Sequence, residues 1–138
     1  MSCWKAKLAK TVLMTGVLLA IVPAHADDSQ QEQKAGRGVS RLVLTWAYED
    51  GADAEKVTLR CHPVVWGTHP NRVNACDALE RVDGYFEQLP STNDPCTKEY
   101  RPVTVTASGY WVQHPVGYSE TFGNLCAAKT ETDNVFDF

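Results

Sequence analysis

Four cysteines limit what this chain can fold into more than any other feature: Cys61, Cys76, Cys96 and Cys126. A fifth, Cys3, lies in a leader. The basic start MSCWKAKLAK, the apolar run TVLMTGVLLAIVP and the small-residue end AHA read as a secretory signal peptide, residues 1–26, cleaved after Ala26. The apolar run is too short and wrongly flanked for a membrane span. An even cysteine count in an exported chain predicts two disulfides. Four cysteines allow three pairings, and the local choice joins Cys61 to Cys76 and Cys96 to Cys126. Bridges closing loops of these sizes contribute about 3–4 kcal/mol each if they act through chain entropy. Paired sulfurs are neither nucleophiles nor metal ligands, and no CxxC pair suggests zinc.

Residues 27–38, DDSQQEQKAGRG, are polar and read as a disordered leading arm. Residues 39–138 have the length of one domain. Loss of the leader leaves ten basic against seventeen acidic side chains, a net charge of −7. That balance argues against nucleic acid or an anionic membrane as partner.

The segment VSRLVLTWAYE (39–49) is rich in β-formers and predicts a strand. EDGADAE turns the chain and KVTLRC (56–61) completes a hairpin. HPVVWGTHPN (62–71) reads as loop. In RVNACDALERVDGYFEQL (72–89), Val73, Cys76, Leu79, Val82, Phe86 and Leu89 recur every three or four residues, the mark of an amphipathic helix. PVTVTASGYWVQHPVGY (102–118) predicts a second hairpin about ASG, SETFGNLCAAK (119–129) a short helix, and VFDF (135–138) a last strand. Strands interrupted by two helices predict an α+β fold with an antiparallel sheet.

Between these elements lies PSTNDPCTKEYRP (90–102), polar and turn-rich. Lys98 is a residue after which trypsin-like enzymes cut. Cys96 anchors the chain two residues before it, and Pro95 and Pro102 stiffen both ends. A loop already held extended loses little entropy on docking, so more contact energy appears as affinity. If its bond is cut, both new ends stay in place and can rejoin. Lys98 then acts as a charged anchor in an acidic pocket.

Several motifs in fixed order carry a wider likeness: VTLRC (57–61), GTHP (67–70), NACDAL (74–79), CTKEYRPVTVTASGYW (96–111), VGYSETFGNLC (116–126) and VFDF (135–138). By these the chain resembles the Streptomyces subtilisin inhibitor family of secreted serine-protease inhibitors, over roughly 39–138. The resemblance implies a five-stranded antiparallel sheet with two helices, the bridges Cys61–Cys76 and Cys96–Cys126, and a two-fold homodimer formed through the sheet. It implies no cofactor, and a serine protease as partner. It puts the reactive bond at Lys98–Glu99, with Cys96, Thr97, Tyr100 and Arg101 flanking it in the protease cleft. Two positions depart from the family pattern. Lys98 stands where founding members carry an apolar residue, which implies trypsin-like as well as subtilisin-like targets. Thr97 stands where proline is common. Asn124, two residues before Cys126, is a candidate brace for the loop, with helix capping as its other reading.

Other residues carry less. His62, His69 and His114 each adjoin a proline and read as structural, since no HxxxH spacing links them. No GxSxG or HExxH motif points to a hydrolase. Trp46, Trp66, Tyr110 and Trp111 offer the alternative of a carbohydrate-stacking module, with Trp66 the most exposed of them.

Overall fold

The computed structural model describes residues 38–112 and 114–138. The predicted leader lies outside the described residues, as does the predicted arm apart from Gly38. Five strands form one antiparallel sheet: β1 (Arg41–Tyr48), β2 (Ala54–Arg60), β3 (Trp66–Gly67), β4 (Val103–Trp111) and β5 (His114–Phe122). Their order is β3-β2-β1-β4-β5. Two helices, α1 (Arg72–Arg81) and α2 (Leu125–Glu131), complete an α+β fold. Both disulfides take the local pairing, Cys61–Cys76 and Cys96–Cys126.

Period-two alternation decides which way each strand faces. Leu42, Leu44 and Trp46 of β1, Val57 and Leu59 of β2, and Val103, Val105, Ala107 and Trp111 of β4 are buried on one face. Ala75, Cys76, Ala78 and Leu79 of α1 belong to the same core, with Phe86, Ala128, Val135 and Phe136. Phe86, Tyr118 and Phe136 cluster with ring centroids 5.3–6.3 Å apart. The opposite face carries hydroxyls, paired across strands as Thr45–Thr106 (2.8 Å) and Thr104–Thr121 (2.7 Å).

Five elements differ from the sequence expectations. The helix over 72–89 stops at Arg81. Asp83 and Gly84 take positive φ (49° and 74°), and a Cβ at Gly84 would lie 2.2 Å from the Trp111 ring. The chain breaks there so that Trp111 can pack against backbone, its indole N–H donating to Asp83 Oδ1 at 3.2 Å. Phe86 and Leu89 remain buried beyond the break, Phe86 in a 3₁₀ turn over Phe86–Gln88. Val73 is 57% exposed, because the apolar side of α1 that meets the core runs through Ala75, Cys76, Ala78 and Leu79.

The second hairpin does not turn at ASG. Strand β4 runs straight through it and the reversal begins at Val112, with φ 43°. Gly109 serves close approach instead: a Cβ there would sit 2.0 Å from the Arg41 carbonyl oxygen of β1. The predicted helix over 119–129 starts at Leu125, because residues 119–122 finish β5. VFDF is not a strand. Asp133 and Asn134 both have positive φ, which ends regular structure, and turn hydrogen bonds deliver Val135 and Phe136 into the core. The fifth strand is instead Trp66–Gly67, inside the 62–71 segment expected to be loop, where the pair bonds to Leu59 and Arg60 at the edge of the sheet.

His69 explains part of this C-terminal packing. It is fully buried; its Nδ1 accepts from the Asn71 N–H at 3.0 Å and its Nε2 donates to the Val135 carbonyl at 2.9 Å. That arrangement needs the neutral ring. Burial pushes its pKa below the ordinary 6.5, against the Val135 carbonyl and the Asp137 charge, which favour the proton. A folded state that binds the proton less readily than the unfolded chain loses stability as pH falls below about 6.5. Urea unfolding between pH 8 and pH 5 is expected to show this decline, at no more than about 1.4 kcal/mol per pH unit for one proton. Replacing His69 by Gln should remove that slope, and an unchanged slope would contradict the assignment.

Candidate functional site

Residues 89–102 run without a turn or bend along one end of the sheet, despite their turn-rich composition. Pro95, Thr97, Lys98, Glu99 and Tyr100 are exposed, Tyr100 by 82%. Such a segment is held by other elements. The Thr92 N–H donates to the Thr130 carbonyl at 2.8 Å, fixing its start against α2. Cys96 is bonded to Cys126 in the first turn of α2, with Cα atoms 5.7 Å apart.

Asn124 adds the next hold. Its side-chain amide donates to the Thr97 carbonyl at 3.1 Å and to the Glu99 carbonyl at 2.9 Å. Its Oδ1 accepts from the Ala127 N–H at 2.8 Å, as the N-cap of α2. The contacts expected of a loop brace and of a helix cap thus fall on the same side chain. One side chain starts the helix and bonds the loop carbonyls on either side of Lys98. Each function uses a different end of the amide, so the orientation of Asn124 follows from its partners.

The far side of the segment is tied to the β1–β2 hairpin. The Arg101 N–H donates to the Gly123 carbonyl at 2.9 Å, and the Glu49 N–H donates to the Pro102 carbonyl at 3.0 Å. The Arg101 guanidinium lies 3.6 Å above the Tyr48 ring centroid, and its Nε donates to Asp50 Oδ2 at 3.2 Å. Asp50's carboxyl lies below its ordinary pKa, chiefly because its other oxygen accepts from the Ala52 N–H at 2.8 Å and then through Arg101. None of the links from Gly123, Tyr48, Glu49 or Asp50 carries a local sequence signal, since each partner lies 22 or more residues away.

The remaining candidates fall elsewhere. Cys61–Cys76 joins the end of β2 to α1. His62 is held by Ser40 Oγ at 2.6 Å and by Glu80, against the Trp111 ring. His114 stacks on Tyr85 at 4.7 Å. Trp46 and Trp111 are buried, while Trp66 and Tyr110 are 65% and 44% exposed. Trp66 and Tyr110 stand on β3 and β4, with β2 and β1 between them. Three strand spacings of about 4.8 Å each keep the two rings from touching. Among the described residues, no group of three His, Cys, Asp or Glu side chains is arranged to hold a metal.

A model of the subtilisin inhibitor-like family matches residues 38–124. The chain belongs to that family. This inhibitor is 48% identical over 104 residues to protease inhibitor SIL-V2 of Streptomyces orinoci, covering 72% of this chain and 95% of that protein. It is 38% identical over 144 residues to a subtilase-type protease inhibitor of Streptomyces fradiae, covering 97% and 98%. Among solved structures, Streptomyces caespitosus sermetstatin, in complex with Bacillus licheniformis subtilisin, matches with a TM-score of 0.59 and 33% identity, over 73% of this chain and 100% of that one. The inhibitor is thus of the subtilisin-inhibitor type, and a protease inhibitor rather than an enzyme.

Asn124→Asp separates the two roles of Asn124. Aspartate keeps the acceptor for the Ala127 N–H but sets a carboxylate against two carbonyl oxygens. Two hydrogen bonds worth about 1 kcal/mol each are lost, so the backbone order parameters of 97–100 should fall clearly below those of the sheet. Helix α2 should keep its cap, whose removal in Asn124→Ala costs about 1 kcal/mol. Equal order parameters over 97–100 in Asn124→Asp and the parent protein would contradict the brace.

Proposed function

We propose that this protein is an exported serine-protease inhibitor that offers the Lys98–Glu99 bond as a substrate and is released from its target slowly. The observation that carries this reading is the Asn124 amide gripping the carbonyls on both sides of Lys98. In an extended chain successive carbonyls face opposite ways. With those of Thr97 and Glu99 turned to the body, that of Lys98 turns to solvent, where a serine hydroxyl attacks. The flanking groups are Cys96 and Thr97 on the acyl side, and Tyr100 and Arg101 on the amine side. Pro95 and Pro102 stiffen the ends.

Lys98 rather than Arg101 is the residue offered. Arg101 is occupied by Tyr48 and Asp50, its N–H by Gly123, and the bond after it is to proline. An exposed lysine suits the acidic specificity pocket of trypsin-like enzymes. Subtilisin-like enzymes are also targets, in keeping with the subtilisin complex of the sermetstatin relative. Export rests on the leader at 1–26. A homodimer through the sheet, as the family resemblance implies, accompanies this function.

Lys98→Ala should weaken trypsin inhibition by about 2–4 kcal/mol, roughly thirtyfold to a thousandfold in Ki, as for an anchor residue. The exposed position predicts an unchanged melting temperature. Unaltered potency would mean that another bond meets the protease. For the dimer, sedimentation equilibrium at micromolar concentration should return twice the chain mass, and a single-chain mass would refute it.

A further inference from the structure

We propose that Arg101 is a positioning residue, one that holds the amine side of the reactive bond for resealing and does not reach into the protease. The proposal rests on the reading of Lys98–Glu99 as that bond, and it departs from the expectation that Arg101 lies in the cleft.

The geometry turns Arg101 inward. Its guanidinium covers the Tyr48 ring at 3.6 Å and its Nε binds Asp50 Oδ2 at 3.2 Å. The acceptor is set before Arg101 arrives. Asp50 Oδ1 takes the Ala52 N–H at 2.8 Å, and the turn is closed by the Gly51 N–H on the Tyr48 carbonyl at 3.0 Å, with Gly51 at φ 72°. The main chain of 101–102 is meanwhile held from two sides, by Gly123 and by Glu49. Arg101 is thus the first residue after the bond whose side chain is fastened to the body. Tyr100, one residue nearer, is 82% exposed.

That placement matters for the chemistry. When the protease serine attacks the Lys98 carbonyl carbon, the Lys98–Glu99 C–N bond breaks. The acyl group passes to the serine oxygen, and a proton passes to the Glu99 nitrogen, which leaves as an amine. Two routes then compete. Water can attack the ester, giving the Lys98 carboxyl and freeing the serine. Alternatively the Glu99 amine attacks the ester, re-forms the peptide bond and expels the serine with its proton restored. The second route wins in proportion to how long the amine stays near the ester. The acyl side is held by the Cys96–Cys126 bridge and by Asn124 on Thr97. The amine side has Asn124 on Glu99 and then Arg101, two residues on, at most about 7 Å of extended chain. Without the guanidinium clamp, residue 101 keeps only its main-chain holds, the Gly123 bond and the Glu49 bond on Pro102.

The size of the effect follows from the contacts. Both contacts are solvent-exposed and individually weak, so the expected change is roughly threefold to tenfold.

The test uses the oxidised, full mature protein and its Arg101→Ala, Arg101→Lys, Asp50→Asn and Arg101→Ala/Asp50→Asn variants. Each is taken to equilibrium with a catalytic amount of trypsin, and the ratio of cut to intact chain is read by mass spectrometry. The amide exchange of residue 101 and the melting temperature of uncut protein are measured alongside. We expect the cut fraction to rise about threefold to tenfold in Arg101→Ala. Asp50→Asn should share part of this rise, and the double variant should be no worse than Arg101→Ala. Arg101→Lys should fall between, because lysine keeps the charge but not the planar stack. Exchange at residue 101 should quicken in Asp50→Asn, while melting of the uncut proteins changes little. A ratio indifferent to all four variants would overturn the clamp, as would one that moves only in step with melting temperature. If the parent protein is cut at some other bond, the reading of Lys98–Glu99 fails first, and the clamp's role in resealing falls with it. Should Arg101→Ala fail to fold, Asp50→Asn alone carries the test, since it leaves the arginine and the loop backbone intact.

Discussion

The amide of Asn124 joins two problems that a protease-binding loop poses together. An exposed, extended segment has no ladder of its own hydrogen bonds, so its backbone must find partners elsewhere or move. Asn124 supplies donors to the carbonyls of Thr97 and Glu99 and is itself immobilised by capping α2. Two residues on, Cys126 bonds Cys96. The loop and the start of α2 are therefore zipped side by side, by a covalent link at one step and a forked hydrogen bond at the next. Lys98 projects from the middle of that zip with its side chain unburied.

The sheet makes the zip possible. Strand β5 ends at Phe122 and leads directly into Gly123 and Asn124, while β4 begins at Val103 directly after the loop. The β4–β5 register, with Val103 opposite Phe122, brings these two junctions side by side. On the other flank β1 pairs Tyr48 with Val103, so the β1–β2 turn lies beside Arg101 and Pro102. Shifting either register by one residue would move the partners of the loop and turn the core face of β4 outward. The buried face of the sheet thus fixes, through side-chain alternation alone, where the exposed bond stands.

Much of this was legible in the residues. Cysteine spacing gave the correct pairing, and β-forming runs marked β1, β2 and, with the turn misplaced, the strands of the second hairpin. The position of Cys126 pointed to Asn124. The failures have a common cause. The helical pattern reads on through Gly84 and Gly109 reads as a turn, yet both glycines serve a distant neighbour, the Trp111 ring and the Arg41 carbonyl. The β-forming, apolar VFDF reads as a strand, yet the two left-handed residues before it make it a plug for the core. The Arg101–Asp50–Tyr48 contact was invisible for the same reason: it joins residues about fifty positions apart, and neither composition nor period encodes it.

The central claim is that rigidity converts a substrate into an inhibitor, and the most direct measurement is the fate of the native, oxidised protein in prolonged contact with stoichiometric trypsin. The account predicts one cut, between Lys98 and Glu99, reaching a steady mixture of cut and intact chains while the enzyme stays silent. Progressive digestion with full return of trypsin activity would contradict it.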